Sequence, residues 1–304
     1  MNPNPPLPSL DALLPADMAK KAENIGVTKA NLGPFRMFAL AVLAGAFIAM
    51  GAVFMTTVTT GATDFLSYGV TRLLGGLVFC LGLVLVVVAG AELFTGNNLI
   101  VMAWAGRKVS TAKLLRNWVI VYLGNFVGSI ATAYGMFLSG QYLFNKGALG
   151  LNALNIANAK VSHDFIPALV LGIFCNALVC LAVWLCMGAR TTTDKIAAII
   201  FPITAFVAAG FEHSIANMYF IPIGLFIKGG APAEFWTNIG KTAADFSGLT
   251  WGSFFVANLL PVTIGNIIGG ALMVGLVYWF IYLRPSWTGH KEEADKPEPK
   301  LKKA

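Results

Sequence analysis

The sequence predicts an all-α membrane protein: six transmembrane helices arranged as two inverted three-helix repeats, with helices 2 and 5 broken. Three observations carry this. Of 304 residues, 57% are hydrophobic and only 12% are charged, about half the charged share of a soluble domain. The 21 Lys/Arg and 14 Asp/Glu leave long stretches without any charge, as membrane spans do. Polar signatures recur at fixed spacing inside the apolar sequence. These numbers exclude disorder and collagen and argue against a soluble globule. The formal charge of +7 would suggest nucleic acid in a soluble protein. Here it is expected in loops that set membrane orientation, so no nucleic-acid partner is predicted.

The first segment, 1–34, holds Pro, Asp, Glu and Lys but no apolar core of a cleavable signal peptide. Within it Pro15 to Ile25 reads as a short helix stopped at Gly26. Met18, Ala22 and Ile25 share one face. That face suits a helix lying along the membrane or under a pore, and a solvated lead-in fits equally. The transmembrane domain is expected over 35–283. Its six apolar stretches run Phe35–Val58, Leu73–Phe94, Trp118–Leu138, Phe165–Met187, Ile196–Ile227 and Asn258–Leu283. A span needs roughly 20 residues, and five stretches fit. The fifth is too long for one helix and has polar residues in its middle. The second runs into Thr95, Gly96, Asn97 and Asn98 before a further apolar piece. Residues 284–304 are rich in Lys, Glu and Pro and read as a disordered tail.

With six spans, one side receives 16 of the Lys/Arg and the other receives 5, namely Arg72, Lys146, Lys160, Lys228 and Lys241. The positive-inside rule then puts both termini in the cytoplasm. The four cysteines lie inside apolar stretches without CxxC spacing and read as small hydrophobes.

Self-similarity is the strongest signal. Gly90, Glu92 and Asn97 match Gly210, Glu212 and Asn217 at a spacing of 120. Asn117, Gly124, Asn125 and Gly128 match Asn258, Gly265, Asn266 and Gly269 at 141. Spans one and four match weakly through Gly45/Phe47 and Gly172/Phe174. Three spans per repeat is an odd number, so the second repeat enters from the opposite side, as in many transporters and channels. Broken helices at membrane depth must be buried in protein or line a cavity. Glu92–Asn98 and Glu212–Asn217 are therefore expected to face each other across a passage. Asn125 and Asn266 suit either the freed backbone groups there or simple helix–helix glue.

Glu92 and Glu212 are the acids inside the apolar stretches. Intramembrane acids mark function, yet their matched placement also suits one capping device used twice. His213 differs, because its mate in the first repeat is Leu93. The symmetry is broken there by the side chain that titrates near neutral pH, which points to a pore role. No second His or Cys stands at ligand spacing, so no metal is predicted, and no cofactor. Thr95 on the opposite loop and mid-span Asn176 are further candidates for orienting the site.

GFEHSIANM (Gly210–Met218), AELFTG (Ala91–Gly96) and LPVTIGNIIGG (Leu260–Gly270) resemble the formate/nitrite transporter family, over about Leu10 to Leu283. LLPADMAKKAENIGV and FIPALVLGIFCNALVCLAVW look like its formate channel branch. The resemblance implies an aquaporin-like fold and a homopentamer with one pore per protomer. The aquaporin Asn-Pro-Ala signatures are absent. It implies His213 and Thr95 as a central polar pair, and Phe79, Leu83, Leu93, Phe94, Val179 and Phe206 as apolar constrictions. It implies Lys160 as an outer lysine that draws anions in, with Glu212 and Asn176 in its hydrogen-bond network; Asn266 stands as a pore candidate from its mid-span position alone. It also implies contact between the N-terminal segment and the formate-producing glycyl-radical enzyme. The expected function is passage of formate and similar small monovalent anions across the inner membrane lipid bilayer. Either His213 gives the anion a proton, or protonated His213 is a fixed charge. Nitrite is the alternative main substrate, and hydrosulfide the next. A membrane-embedded enzyme using Glu212 and His213 lacks HExxH and a nucleophile setting, so no enzyme is expected.

Overall fold

The computed structural model describes residues 11–284. The expectations for the Pro-rich start and for the charged tail fall outside the described residues. Within 11–284 every regular element is helical. Helix α1 (Pro15–Ala30) opens with Pro15 and carries Asp17 in its first turn and Lys29 in its last, both favourable to the helix dipole. It does not stop at Gly26. A Cβ there would stand 3.2 Å from the Ala103 Cβ, so this glycine serves a close contact inside the helix rather than its end.

Helix α2 (Pro34–Thr59) is the first span. Helix α3 (Tyr68–Val84) continues as a π-helical turn through Leu85–Gly90. The chain then turns at Gly90 with φ 89°, runs extended through Ala91 and Leu93, and re-enters helix as α4 (Phe94–Asn97) and α5 (Val101–Ala105). Helix α6 (Thr111–Leu138) is the third span; Ser110 caps it by accepting from the Lys113 amide at 3.4 Å. It starts seven residues before the predicted Trp118, because Lys113 and Arg116 lie on its first turns.

Helix α7 (Ala148–Val161) precedes the fourth span, α8 (Phe165–Gly188). Thr191 and Asp194 close a capping box on α9 (Thr192–Ala208). The break follows at Gly210, φ 78°, and α10 (Ser214–Gly230) starts with His213 as its N-cap. Short α11 (Ala233–Ile239) leads to the sixth span. That span alternates α12 (Trp251–Ser253), α13 (Leu260–Ile267) and α14 (Val277–Tyr282) with π-helical turns at Phe254–Leu259 and Ile268–Leu276. Among the described residues five helices are long and apolar enough to cross a membrane: 34–59, 68–90, 111–138, 165–188 and 243–282. The halves of the fifth predicted span, α9 and α10, have 17 residues each, about 25 Å at 1.5 Å per residue. Each is shorter than the roughly 30 Å hydrocarbon layer.

The hydrogen bonds repeat as the sequence signatures do. The Asn125 amide donates to Ala41 O (2.7 Å) and Glu92 O (2.9 Å); that of Asn266 donates to Gly172 O (2.8 Å) and Glu212 O (3.0 Å). Ala41 and Gly172 are 131 apart, so spans one and four align at 131, one helical turn away from the Gly45/Gly172 match. Small residues recur at each turn of these faces, and a Gly-x-Phe match slips easily by four. The same 131 relates α1 to α7. Met18, Ala19, Ala22, Glu23, Gly26 and Ala30 are the buried positions of α1. Leu149, Gly150, Ala153, Leu154, Ala157 and Val161 are those of α7. The repeating unit is therefore four helices, and a segment read as outer loop is the counterpart of α1. At the join of the halves, Tyr122 and its mate Thr263 bond to each other through their hydroxyls at 2.8 Å.

Candidate functional site

Both breaks use one construction. After Gly90 or Gly210, two or three extended residues expose amides that no helix satisfies. The Phe94 amide donates to Asn125 Oδ1 and the Ser214 amide to Asn266 Oδ1, both at 2.9 Å. Asn125 and Asn266 are wholly buried; each holds an extended strand piece with all of its amide group. They are the struts of the breaks.

Each break also carries a lysine–glutamate–asparagine cradle. Lys160 Nζ donates to Glu212 Oε1 at 2.9 Å, while Oε2 accepts from Asn217 Nδ2 (2.7 Å) and Asn258 Nδ2 (3.0 Å). In the other half Lys29 Nζ donates to Glu92 Oε1 at 2.7 Å, and Oε2 accepts from Asn97 Nδ2 at 2.7 Å. Asn117 Nδ2 reaches Lys29 O and Asn258 Nδ2 reaches Lys160 O, so the asparagines also seat the lysine-bearing helices. Each glutamate bridges a break to a helix that lies outside it. One mismatch stands out: Asn97 Oδ1 accepts from Lys29 at 3.0 Å, whereas Asn217 Oδ1 is buried without a partner.

Between the cradles His213 meets Thr95. Thr95 Oγ1 and His213 Nε2 are 3.1 Å apart, and both residues are buried. His213 Nδ1 accepts the Ala216 amide at 3.1 Å, so this nitrogen bears no proton. The neutral ring therefore carries its proton on Nε2, aimed at Thr95 Oγ1. A second proton would have to take Nδ1 and give up the cap.

A cavity opens on either side of this pair. The one on the α7 side is about 420 Å³ and is lined by Lys160, Glu212, Arg72, Phe79, Phe206 and His213, among others. The one on the α1 side is about 550 Å³ and includes Lys29, Glu92, Leu83, Leu93, Lys21 and Lys195. Phe79 and Phe206 pack edge-on with ring centres 5.8 Å apart, and Phe206 stacks on His213 at 5.9 Å. They close the first cavity; Leu83 and Leu93 lie in the wall of the second. All four are buried.

The expected site residues are thus divided. His213, Glu212, Lys160, Phe79 and Phe206 share the α7-side cavity. Leu83 and Leu93 lie on the other; Thr95 lines neither cavity and reaches the site through its bond to His213. Phe94 turns away and packs its ring on Trp118 and Tyr122, at 6.1 and 4.9 Å; it lines neither cavity, and nor does Val179. Asn176 lies outside the Lys160 network. Its Nδ2 is within hydrogen-bond distance of Thr95 O (3.3 Å), Asn98 Oδ1 (3.0 Å) and Asn266 O (2.7 Å), where it ties α4 to α13. Lys29 was missed, because it stands in the polar lead-in rather than in an apolar stretch; its 131-residue spacing from Lys160 was the available signal. Arg72 was also missed. Its guanidinium donates to Val207 O and, at 3.1 Å, to Ala208 O, and so holds the end of α9 behind Phe206. Among the described residues no cluster of His, Cys, Asp or Glu could hold a metal.

A family model described as formate/nitrite transporter matches residues 16–280. The formate channel FocA of Escherichia coli (strain K12) is 51% identical over 274 residues, 90% of this chain and 96% of that one. The formate channel FocA of Haemophilus influenzae is 44% identical over 265 residues, 87% and 93% of the two chains. A solved structure of a pentameric formate channel with formate bound superposes with a TM-score of 0.79 at 49% identity, covering 83% of this chain and 98% of that one.

Proposed function

The chain belongs to the formate/nitrite transporter family, and from that membership we propose that it is a channel for formate and similar small monovalent anions, not an enzyme. The observation that carries this reading is the His213–Thr95 contact at 3.1 Å between two cavities. A carboxylate is anionic at neutral pH. Lys160 and Lys29 line the two cavities, each in an ion pair with its glutamate. The buried Phe79, Phe206, Leu83 and Leu93 make a bare charge costly in between. His213 first takes a second proton on Nδ1 from solvent, giving up the Ala216 cap; it then hands the Nε2 proton to the passing carboxylate and is left neutral, and the anion crosses with that proton as the neutral acid. Formate is the main substrate, with nitrite and hydrosulfide as the competing readings.

The assembly is a homopentamer in the inner membrane with both termini in the cytoplasm, supported by the 16 to 5 division of Lys/Arg and by the pentameric relative. The N-terminal helix belongs with the transport unit, because Lys29 is part of a cradle. Its exposed stripe, Asp17, Lys20, Asn24 and Thr28, is the face offered to the formate-producing glycyl-radical enzyme.

The test is flux in proteoliposomes under a formate gradient, with internal pH and membrane potential read together. Wild type and His213→Gln are compared, with nitrite as competitor. Internal acidification that depends on His213 is expected. A potential change without acidification would replace symport by bare anion conduction with His213 as a fixed charge. A nitrite response without a formate response would move the substrate to nitrite.

A further inference from the structure

The two halves perform matched tasks with matched residues, so a departure from the match is informative. Lys21 Nζ donates to Met187 O at 2.8 Å, near the end of α8. In the other half Asn152 Nδ2 donates to Thr56 O at 2.9 Å, near the end of α2. Lys21 and Asn152 are 131 apart, as are Thr56 and Met187. One structural bond is thus made by an ammonium in one half and by a neutral amide in the other. The amide suffices for the bond, and the charge of Lys21 is surplus to it.

That charge faces the α1-side cavity, together with Lys29 and Lys195. Lys29 is neutralised by Glu92 at 2.7 Å, the one carboxylate on that wall. Among the described residues neither Lys21 nor Lys195 has an ion-pair partner, and both are half-buried. The neighbouring Asp194 carboxylate is occupied by the amides of Arg190 and Thr191. In the α7-side cavity Lys160 is likewise neutralised by Glu212. Left there are Arg72, with its guanidinium held on two carbonyls, and the His163 ring.

We propose that Lys21 and Lys195 form an anion-collecting site at the α1-side mouth, for small carboxylates and comparably small oxyanions, which makes the pore one-sided in saturation. This rests on the pore reading above. A passive path must have equal permeability in both directions at low formate. The sided quantity is therefore the concentration that half-saturates entry.

Radiolabelled formate entry into liposomes is measured, with vesicles sorted by the side on which an N-terminal tag is reached. Wild type, Lys21→Asn, Lys195→Gln and the exposed control Lys20→Gln are compared. Asparagine at 21 keeps a donor for Met187 O, as Asn152 does for Thr56 O. At low ionic strength, loss of one charge is expected to raise half-saturation from the N-terminal side about threefold. The other side is unchanged, and the effect fades in about 0.5 M salt. In parallel, sodium formate should slow acylation of Lys21 and Lys195 by an amine-reactive ester in detergent, and leave Lys20 untouched. Equal shifts from both sides, or no shift, would overturn the proposal, as would unprotected lysines. Protection in a wild-type protein that passes no formate would leave the site standing and remove the pore reading instead.

Discussion

His213 uses its two ring nitrogens for different tasks, and the tasks can be separated. Nδ1 caps α10 through the Ala216 amide, and Nε2 meets Thr95 at 3.1 Å. Asparagine is a good N-cap but is too short for Thr95. His213→Asn is therefore expected to stay folded and to lose formate-driven acidification across pH 5 to 8, measured by internal pH in proteoliposomes. Thr95→Val tests the partner: the shape is kept, the hydroxyl is lost, and the rate falls with little change in stability. The struts should behave in the opposite way. Asn125→Ala or Asn266→Ala leaves the amide and the carbonyl of the break unpaired in the protein interior and removes the tie to Ala41 O or Gly172 O. At about 1–3 kcal/mol for each orphaned group, each change should cost on the order of 3 kcal/mol or more, seen as a lower melting midpoint in detergent, and by similar amounts in the two halves. Polar residues at matched mid-span positions made this pair legible in the sequence. Their bonds were not legible, because an asparagine can serve as glue or as strut and only the path of the broken chain decides. Phe94 shows the same limit. The resemblance implies a constriction there, but the rotation of α4 sends the ring to Trp118 and Tyr122.

The elements depend on close approach. A Cβ on Gly128 would lie 2.0 Å from Val42 O, and one on Gly269 would lie 2.0 Å from Ile173 O. Neither carbonyl can move without separating α6 from α2, or the π-helical turn after α13 from α8. Gly128→Ala and Gly269→Ala should therefore lower the yield of monodisperse protein in size-exclusion chromatography, and the melting midpoint with it. Gly135 is the control on the same helix as Gly128: nothing lies within 4 Å of its added Cβ. Gly135→Ala should be neutral or stabilise by about 0.5–1 kcal/mol. The glycines of the third and sixth spans were legible as a repeat, and both breaks were too, since Gly90 and Gly210 sit where the chain turns with positive φ. Helix α7 was not. Its Asn and Lys content interrupts the apolar pattern, and the alanines and leucines that pack inward fill too narrow a stripe to resemble a span. Its identity comes from its buried positions, which fall one for one on those of α1.

At the scale of the molecule, the two cradles make the same wager on a buried ion pair. Glu212 and Glu92 are 3% and 7% exposed at the side chain, and their lysines 16% and 28%. Removing one partner leaves an uncompensated buried charge, which costs about 3–5 kcal/mol. Removing both leaves mainly the lost hydrogen bonds. Lys160→Met and Glu212→Gln should thus each lower the melting midpoint clearly, while the double variant recovers much of the loss. The cycle Lys29→Met with Glu92→Gln should return a coupling of the same sign and similar size, somewhat reduced because Lys29 is the more exposed lysine. Matching couplings would mean that α1 is seated on its break as firmly as α7 is on the other. A coupling at the Lys160 end without one at the Lys29 end would mean that α1 leaves its cradle in solution. The α1-side mouth would then open and close with that helix, and the symmetry of the hydrogen bonds would describe one of its positions.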